Sequence, residues 1–323
     1  MSRFVVLSFA LAIACSKTEP ERPVPAVAAA KRAPLEDTSF RYPAAERIVA
    51  IGDLHGDAAA TRAALRLAGA IDDQERWTGG RLVLVQTGDQ LDRGDDEPEI
   101  LGLLERLSAE AKAAGGALHT LNGNHEVMNV QGDFRYVTDD GFRDFGKERP
   151  GAPHERAVRR FASDEQGRAA AFLPGGNAAR RLAQRPVVIQ VGENVFVHGG
   201  ILEEHVDYGL GRINREVQQW MLAPGSAPAP PVVANDRGPI WLRLYSDGLP
   251  LGSACDELGR VLERLSAKRL IVGHTVQEQG INSACRGKVW RIDVGLSRYY
   301  GKRPPAVLEI TGDQARVLKA GTN

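Results

Sequence analysis

Three apolar runs in the first half of this chain each end in a cluster of acids, amides and histidines, at nearly equal intervals. "RIVA" leads into "IGDLHGD" at 51–57, "RLVLVQTG" into "DQLDRG" at 89–94, and "ALHTL" into "NGNHE" at 122–126. Carboxylates and imidazoles are poor strand formers and costly to bury unpaired, so residues of this kind at the ends of buried runs need partners. Asp53 to Asp89 is 36 residues and Asp89 to Asn124 is 35, about one strand-plus-helix repeat each. Between the runs lie "DAAATRAALRLAGA", a helix capped by Asp57, and "EPEILGLLERLSAEAKAAGG", a helix stopped by Gly115 and Gly116. Strand, helix, strand, helix, strand describes parallel βαβ units, whose functional residues gather at the carboxyl ends of the strands.

The second half is richer in strands: "PVVIQVG", "NVFVHGG", "RLIVGHT", "VWRIDVG" and a closing hairpin from "AVLEI" to "ARVLKA". Two of these runs also end in histidine, His198 in "VHGG" and His274 in "VGHT". The pattern predicts one α/β sandwich domain over residues 46–323, with "APGSAPAPP" at 223–231 as an irregular loop inside it rather than a linker.

Asp53 and His55 are two residues apart, so an extended chain points both to one side. Neighbouring parallel strands would bring all five clusters to one crevice. Oxygen and imidazole donors without thiolates suit manganese, iron or zinc. Three carboxylate or amide donors and three histidines exceed what one ion needs with positions left open, and they fit two divalent ions sharing a carboxylate. Taken singly, "GD" or "HGG" is an ordinary turn and a strand histidine an ordinary core residue; the conjunction carries the reading. The 41 basic and 41 acidic residues cancel, so no global field points toward nucleic acid or an anionic membrane.

The series "GDLHG", "GDQLDRG", "GNHE" resembles the phosphoprotein phosphatase branch of the metallophosphoesterases. With "GNHEVMNVQGDFRYV", "GPIWLRLYSD", "IVGHTVQEQGINSAC" and "WRIDVGLSRYYG", the chain looks most like the Shewanella-like protein phosphatases. The resemblance implies an αββα sandwich, two mixed sheets flanked by helices. It implies that Asp53 and His55 hold one metal, that Asp89 bridges, and that Asn124, His198 and His274 complete the second site. It further implies that His125 protonates the departing oxygen, that Asp92 orients His125, and that Arg93 grips phosphate. A second phosphate arginine is usual in such enzymes; Arg243 is the candidate, against an arginine paired to a structural acid. Glu126 is read as supporting these groups, and His119, His154 and His205 fall outside every motif. The chain departs from the classical serine/threonine enzymes in lacking a "SAPNY"-type signature, and from diadenosine tetraphosphatases in having Asp92 and Glu126.

The expected activity is phosphomonoester hydrolysis on a protein, by in-line attack of a metal-activated hydroxide without a phosphoenzyme. The alternatives are a hydrolase of nucleotides or other small phosphoesters, and a surface lipoprotein that keeps the fold as a binding module. The chain is expected to act as a monomer without nucleic acid. Residues 143–185 carry ten Lys/Arg against five Asp/Glu and look helical, either as a basic flap attracting phosphorylated substrate or as a solvated surface.

The N-terminus reads separately. Arg3 precedes an uncharged apolar run, Phe4 to Ala14, about half the length of a membrane-spanning helix and the size of a signal-peptide core. Cys15 follows. The stretch resembles a bacterial lipoprotein signal with Cys15 as the lipidated first residue, though Leu11 stands one position early; ordinary cleavage after Ala14 would leave the same end without lipid. Residues 1–14 are thus expected to be a signal peptide and 15–45 a Pro/Ala-rich tether. The protein would be exported, either periplasmic or anchored to the outer membrane, with any membrane attachment through that lipid. In such a compartment Cys255 and Cys285 form an even pair suited to a disulfide, the alternative being two small buried thiols.

Overall fold

The computed structural model describes Met1 and residues 39–151, 154–225 and 228–320. Residues 2–38, which include Cys15, nearly all of the expected signal peptide and most of the expected tether, lie outside the described residues; the last part of the expected tether, residues 39–45, instead carries the buried Phe40 and a short strand. Among the described residues no helix is long and apolar enough to cross a membrane.

The first half runs β1 (Arg41–Tyr42), β2 (Ile48–Ile51), α1 (Ala58–Leu67), β3 (Val83–Gln86), α2 (Glu97–Ala113), β4 (Ala117–Thr120) and α3 (Asn124–Gln131). Four short helices follow: α4 (Asp139–Asp144), α5 (Glu155–Val158), α6 (Gln166–Phe172) and α7 (Asn177–Leu182). Then come β5 (Val188–Val191), β6 (Asn194–Val197), α8 (Glu203–Tyr208), α9 (Leu210–Leu222) and α10 (Gly252–Leu265). The chain closes with β7 (Arg269–Val272), β8 (Asn282–Ala284), β9 (Val289–Arg291), β10 (Ala306–Thr311) and β11 (Gln314–Lys319).

Local chemistry explains the helix ends. Asp57 caps α1 by accepting from the Ala60 N–H at 2.9 Å. Gly115, just past α2, takes φ +81°, which terminates the helix without the penalty a Cβ would bring.

The strands form two mixed sheets, ordered β11-β10-β2-β3-β4 and β1-β5-β6-β7-β9-β8. In the first, β2, β3 and β4 are parallel, with Ile51 opposite Gln86 and Gln86 opposite Thr120. In the second, parallel β6 and β7 place Val197 opposite Val272. This register brings the polar clusters level at the strand ends, a few residues beyond each pair.

Alternation along the second sheet builds two cores. Val195 and Val197 of β6, with Leu270 and Val272 of β7, pack with the side chains of α6, α7, α9 and α10. Phe196 and Ile271, on the opposite face, join the strands β2, β3 and β10 and the helices α1 and α2. Helices therefore cover the outer faces and the sheets meet in the middle, the αββα sandwich.

Two details depart from the sequence reading. β1 and β8, of two and three residues, give too short a pattern to detect. Within 143–185, Arg168 and Arg185 are buried, at 0% and 6% exposure, so for these two neither a flap nor a solvated surface holds. Arg143, Lys147, Arg149, Arg156, Arg159, Arg160 and Arg180 are exposed. Cys255, in the first turn of α10, and Cys285, just after β8, are joined by a disulfide with a Cα–Cα distance of 5.2 Å.

Candidate active site and metal centre

Asp89 lies at the centre of the level strand ends. Its Oδ2 is 3.1 Å from His198 Nε2, 3.7 Å from His55 Nε2 and 3.8 Å from His125 Nε2. His198 Nε2 also lies 2.9 Å from Asn124 Oδ1 and 3.1 Å from His274 Nδ1. Asp53 Oδ2 is 3.8 Å from His55 Nε2, and its carboxylate accepts the His274 N–H. The six residues assigned to metal binding are thus gathered and buried. Two overlapping groups have donor atoms within 4.8 Å of one another: His55, Asp89 and His125, and Asp89, His198 and His274.

The ring orientations test whether this set suits a cation. His55 Nδ1 lies 2.9 Å from the Leu91 carbonyl, His198 Nδ1 3.0 Å from the Thr87 carbonyl, and His274 Nε2 3.1 Å from the Trp241 carbonyl. Each carbonyl takes the N–H of one ring nitrogen and leaves the other facing Asp89 and its neighbours, the arrangement that orients histidines as ligands. Burial, with His125 and Arg93 nearby, pushes His55 well below the usual imidazole range, and burial beside His198 and Arg243 does the same to His274. Burial, Asp293 and Asp89 push Asp53 well up. Burial would lower His198, but the Asp89 and Asp53 carboxylates outweigh it and raise it to about 9. Imidazoles kept neutral at His55 and His274, beside carboxylates whose pull is strong enough to raise His198, mark a pocket that draws positive charge and fits divalent cations.

The backbone is contorted to reach this geometry. Among the described residues, nine non-glycines have positive φ, and five are here: His55 (+43°), Asp89 (+56°), Asp92 (+69°), Arg93 (+68°) and His274 (+68°). Close approach also demands glycine at Gly123, where a Cβ would fall 2.2 Å from Asp89 Oδ1. Glu126 clamps the turns, accepting from the N–H groups of Gly123 (2.7 Å), Asp89 (2.8 Å), Gln90 (2.8 Å) and Leu91 (3.2 Å).

Beside the ligand cluster, His125 Nδ1 lies 2.5 Å from Asp92 Oδ2, the pairing expected of an oriented imidazole. Arg93 Nη1 lies 2.6 Å from His55 Nε2 and donates to the Tyr300 hydroxyl. Its guanidinium sits 5.2–5.6 Å from the ring centres of Tyr136, Tyr299 and Tyr300. Arg243 donates to the His274 carbonyl at 2.9 Å and to Thr275 Oγ1 at 2.8 Å, which sets it at the rim of the cluster, held by a carbonyl and a hydroxyl.

Three residues of the site's surroundings escaped sequence reasoning. Asp293, 1% exposed, is raised to about 6 by burial, with the Asp89 charge adding to the effect. It ends the apolar run of β9 in "WRIDVG", the same signal that marked the other clusters. Glu97 and Arg168 are fully buried next to Asp92. Both sit in helical stretches rich in charge, which read as surface. His119 packs against Tyr42 with the rings tilted and their centroids 4.3 Å apart, while buried His154 and His205 bond to Pro174 and Leu202 backbone atoms.

Comparison with known proteins shows the family. The calcineurin-like phosphoesterase family model matches residues 46–278. Shewanella-like protein phosphatase 2 of Arabidopsis thaliana is 42% identical over 304 residues, covering 85% of this chain and 77% of that protein. Shewanella-like protein phosphatase 1 of Plasmodium berghei is 29% identical over 282 residues, covering 84% and 74%. The crystal structure of the cold-active protein-tyrosine phosphatase of a psychrophilic Shewanella species superposes with a TM-score of 0.67 at 23% identity, covering 86% and 82%, a likeness of fold. From its first polar cluster to its fifth, this chain belongs to the calcineurin-like phosphoesterase family, among the Shewanella-like protein phosphatases.

Proposed function

We propose that this chain is a dinuclear, divalent-metal-dependent protein phosphatase. The observation that carries the reading is the position of Asp89 Oδ2, 3.7 Å from His55 on one side and 3.1 Å from His198 on the other. A carboxylate so placed can serve two ions at once. Asp53, His55 and Asp89 would hold one ion; Asp89, Asn124, His198 and His274 would hold the other. Manganese, iron and zinc suit these donors. When bound, such a pair supplies Lewis acidity that makes water nucleophilic near neutral pH and offsets the charge of the phosphoryl group.

The chain's own groups do the rest. His125, oriented by Asp92, donates a proton to the departing ester oxygen. Arg93 and Arg243 stand where a planar fork can take the outer phosphate oxygens. Around Arg93, Tyr136, Tyr299 and Tyr300 form an aromatic rim suited to the ring of an aryl ester, and this supports phosphotyrosine over phosphoserine as the preferred side chain. The presence of all six ligand candidates together with His125 and Arg93 weighs against a binding module without turnover. The N-terminal signal supports export to the periplasm or to an outer-membrane lipid anchor, which makes an extracytoplasmic phosphoprotein the substrate.

The deciding experiment assays metal-reconstituted enzyme on phosphotyrosine, phosphoserine and phosphothreonine peptides, nucleotides and dinucleoside polyphosphates. Highest kcat/KM on phosphotyrosine peptides is expected. Preference for nucleotides would replace this reading with small-phosphoester scavenging, and no turnover with bound metal would leave a binding module.

A further inference from the structure

Behind the His125–Asp92 pair lies a charge network. Asp92 and Glu97 are both fully buried, their carboxylates close enough to share one guanidinium nitrogen, and the Asp92 N–H donates to Glu97 Oε1 at 2.6 Å. Two such charges cannot both persist there without a compensating cation. Arg168, itself 0% exposed, supplies it. Its Nη1 is 2.6 Å from Glu97 Oε2 and its Nη2 3.0 Å from Glu97 Oε1, a two-pronged grip, and Nη2 also reaches Asp92 Oδ1 at 3.3 Å. Arg168 Nε donates to Asn129 Oδ1 at 2.8 Å, while Asn129 Nδ2 donates to Asp92 Oδ1 at 2.9 Å and to the His125 carbonyl at 2.9 Å. The rings of Phe172 and Phe145 wall the guanidinium at 4.7 and 5.3 Å.

The consequence is a division of labour between the two oxygens of Asp92. Oδ1 is held by Arg168 and Asn129, which leaves Oδ2 facing His125 Nδ1 and prevents the carboxylate from turning away. We propose that Arg168, gripped by Glu97, is the positioning residue of the Asp92–His125 pair, and that delivering this one cation is a catalytic task of the helical segment 143–185. Arg168 touches no reacting atom; it acts through Asp92. The proposal rests on the phosphatase reading above.

The test compares wild type with Arg168→Lys, Arg168→Met and the double variant Arg168→Met/Glu97→Gln. The double variant removes one buried acid along with the cation and so guards against misfolding. Each metal-reconstituted protein is assayed on a phosphotyrosine peptide, whose basic phenolate leaving group gains from a proton, and on p-nitrophenyl phosphate, whose leaving group hardly needs one. On the peptide, kcat is expected to fall about 10- to 100-fold with KM little changed, because only part of the general acid's contribution is lost. On the aryl ester the fall should be several-fold smaller, and Arg168→Lys, which keeps charge but not the fork, should lie between. In NMR spectra, the His125 Nδ1–H resonance should move in every folded Arg168 variant. Equal losses on both substrates, or an unmoved resonance, would overturn the proposal. Should wild type hydrolyse neither ester, the phosphatase reading fails and with it the proposed catalytic task; the resonance would then report only on the contact with Asp92.

Discussion

Asp89 Oδ2 lies 3.1 Å from His198 Nε2, and that separation joins the two sheets at the site, since Asp89 follows β3 and His198 follows β6. A shared carboxylate is the arrangement a paired metal centre requires. Asp89→Asn removes the charge and keeps the shape, so bound metal is expected to fall below two ions per chain and turnover to vanish. Elemental analysis of the purified variant checks this; two ions retained with full activity would remove the bridging role.

His125→Asn should keep its metals, because the six ligands proposed for the two ions, Asp53, His55, Asp89, Asn124, His198 and His274, all remain in place; loss of metal would instead make His125 a ligand, since its Nε2 lies 3.8 Å from Asp89 Oδ2. Hydrolysis of an alkyl phosphate is expected to slow by about 10²–10⁴-fold, with a smaller loss on p-nitrophenyl phosphate. Steady-state kinetics on both esters decides it, and equal losses would take His125 out of the acid role.

Glu126 accepts four backbone N–H groups from the turns that carry Asp89 and Asn124. Glu126→Gln sets an NH₂ group against some of those donors and is expected to cost about 3 kcal/mol of stability. Urea denaturation measures this, and metal content should drop in parallel as the turns relax. An unchanged unfolding midpoint would show that the clamp is dispensable.

The Cys255–Cys285 disulfide spans a separation of 30 residues. In the chain-entropy model such a loop stabilises the fold by about 3–4 kcal/mol. Cys255→Ser/Cys285→Ser should therefore lower the unfolding midpoint, and mass spectrometry of unreduced peptides should find the pair linked. Freely alkylated thiols in protein from its native compartment would contradict the linkage.

If the N-terminal segment is a lipoprotein signal, Cys15→Ser should shift the protein from the membrane fraction to the soluble one, or leave an unprocessed precursor. One acyl chain anchors only marginally, at about 0.8 kcal/mol per buried methylene, so stable attachment requires the several chains of a lipoprotein. Turnover by the domain from Ser39 onward, which keeps β1 and the buried Phe40, should not change, since every proposed site residue follows it. Soluble wild type with an unmodified Cys15 at its N-terminus would reduce the segment to an ordinary secretory signal.

The parts of the site readable from sequence were those tied to strand ends. Asp53, Asp89, Asn124, His198 and His274 each follow an apolar run, and parallel register does the rest. Asp293 carries the same signature, two residues beyond β9 in "WRIDVG". Arg168 and Glu97 could not be found in this way. Their pairing joins residues 71 apart, across α2 and α6, and nothing in a helical run of mixed charge separates a buried arginine from a solvated one. β1 is invisible for a different reason: it exists only because β5 offers a free edge to two residues.

The left-handed backbone at His55, Asp89, Asp92, Arg93 and His274 sets this protein's turnover against its heat tolerance. Each such residue costs about 1–3 kcal/mol, and at each of them glycine would relieve the conformation while deleting a side chain the chemistry needs. A population selected only for surviving high temperature would therefore gain by substituting these positions, and its sturdiest descendants would be inert.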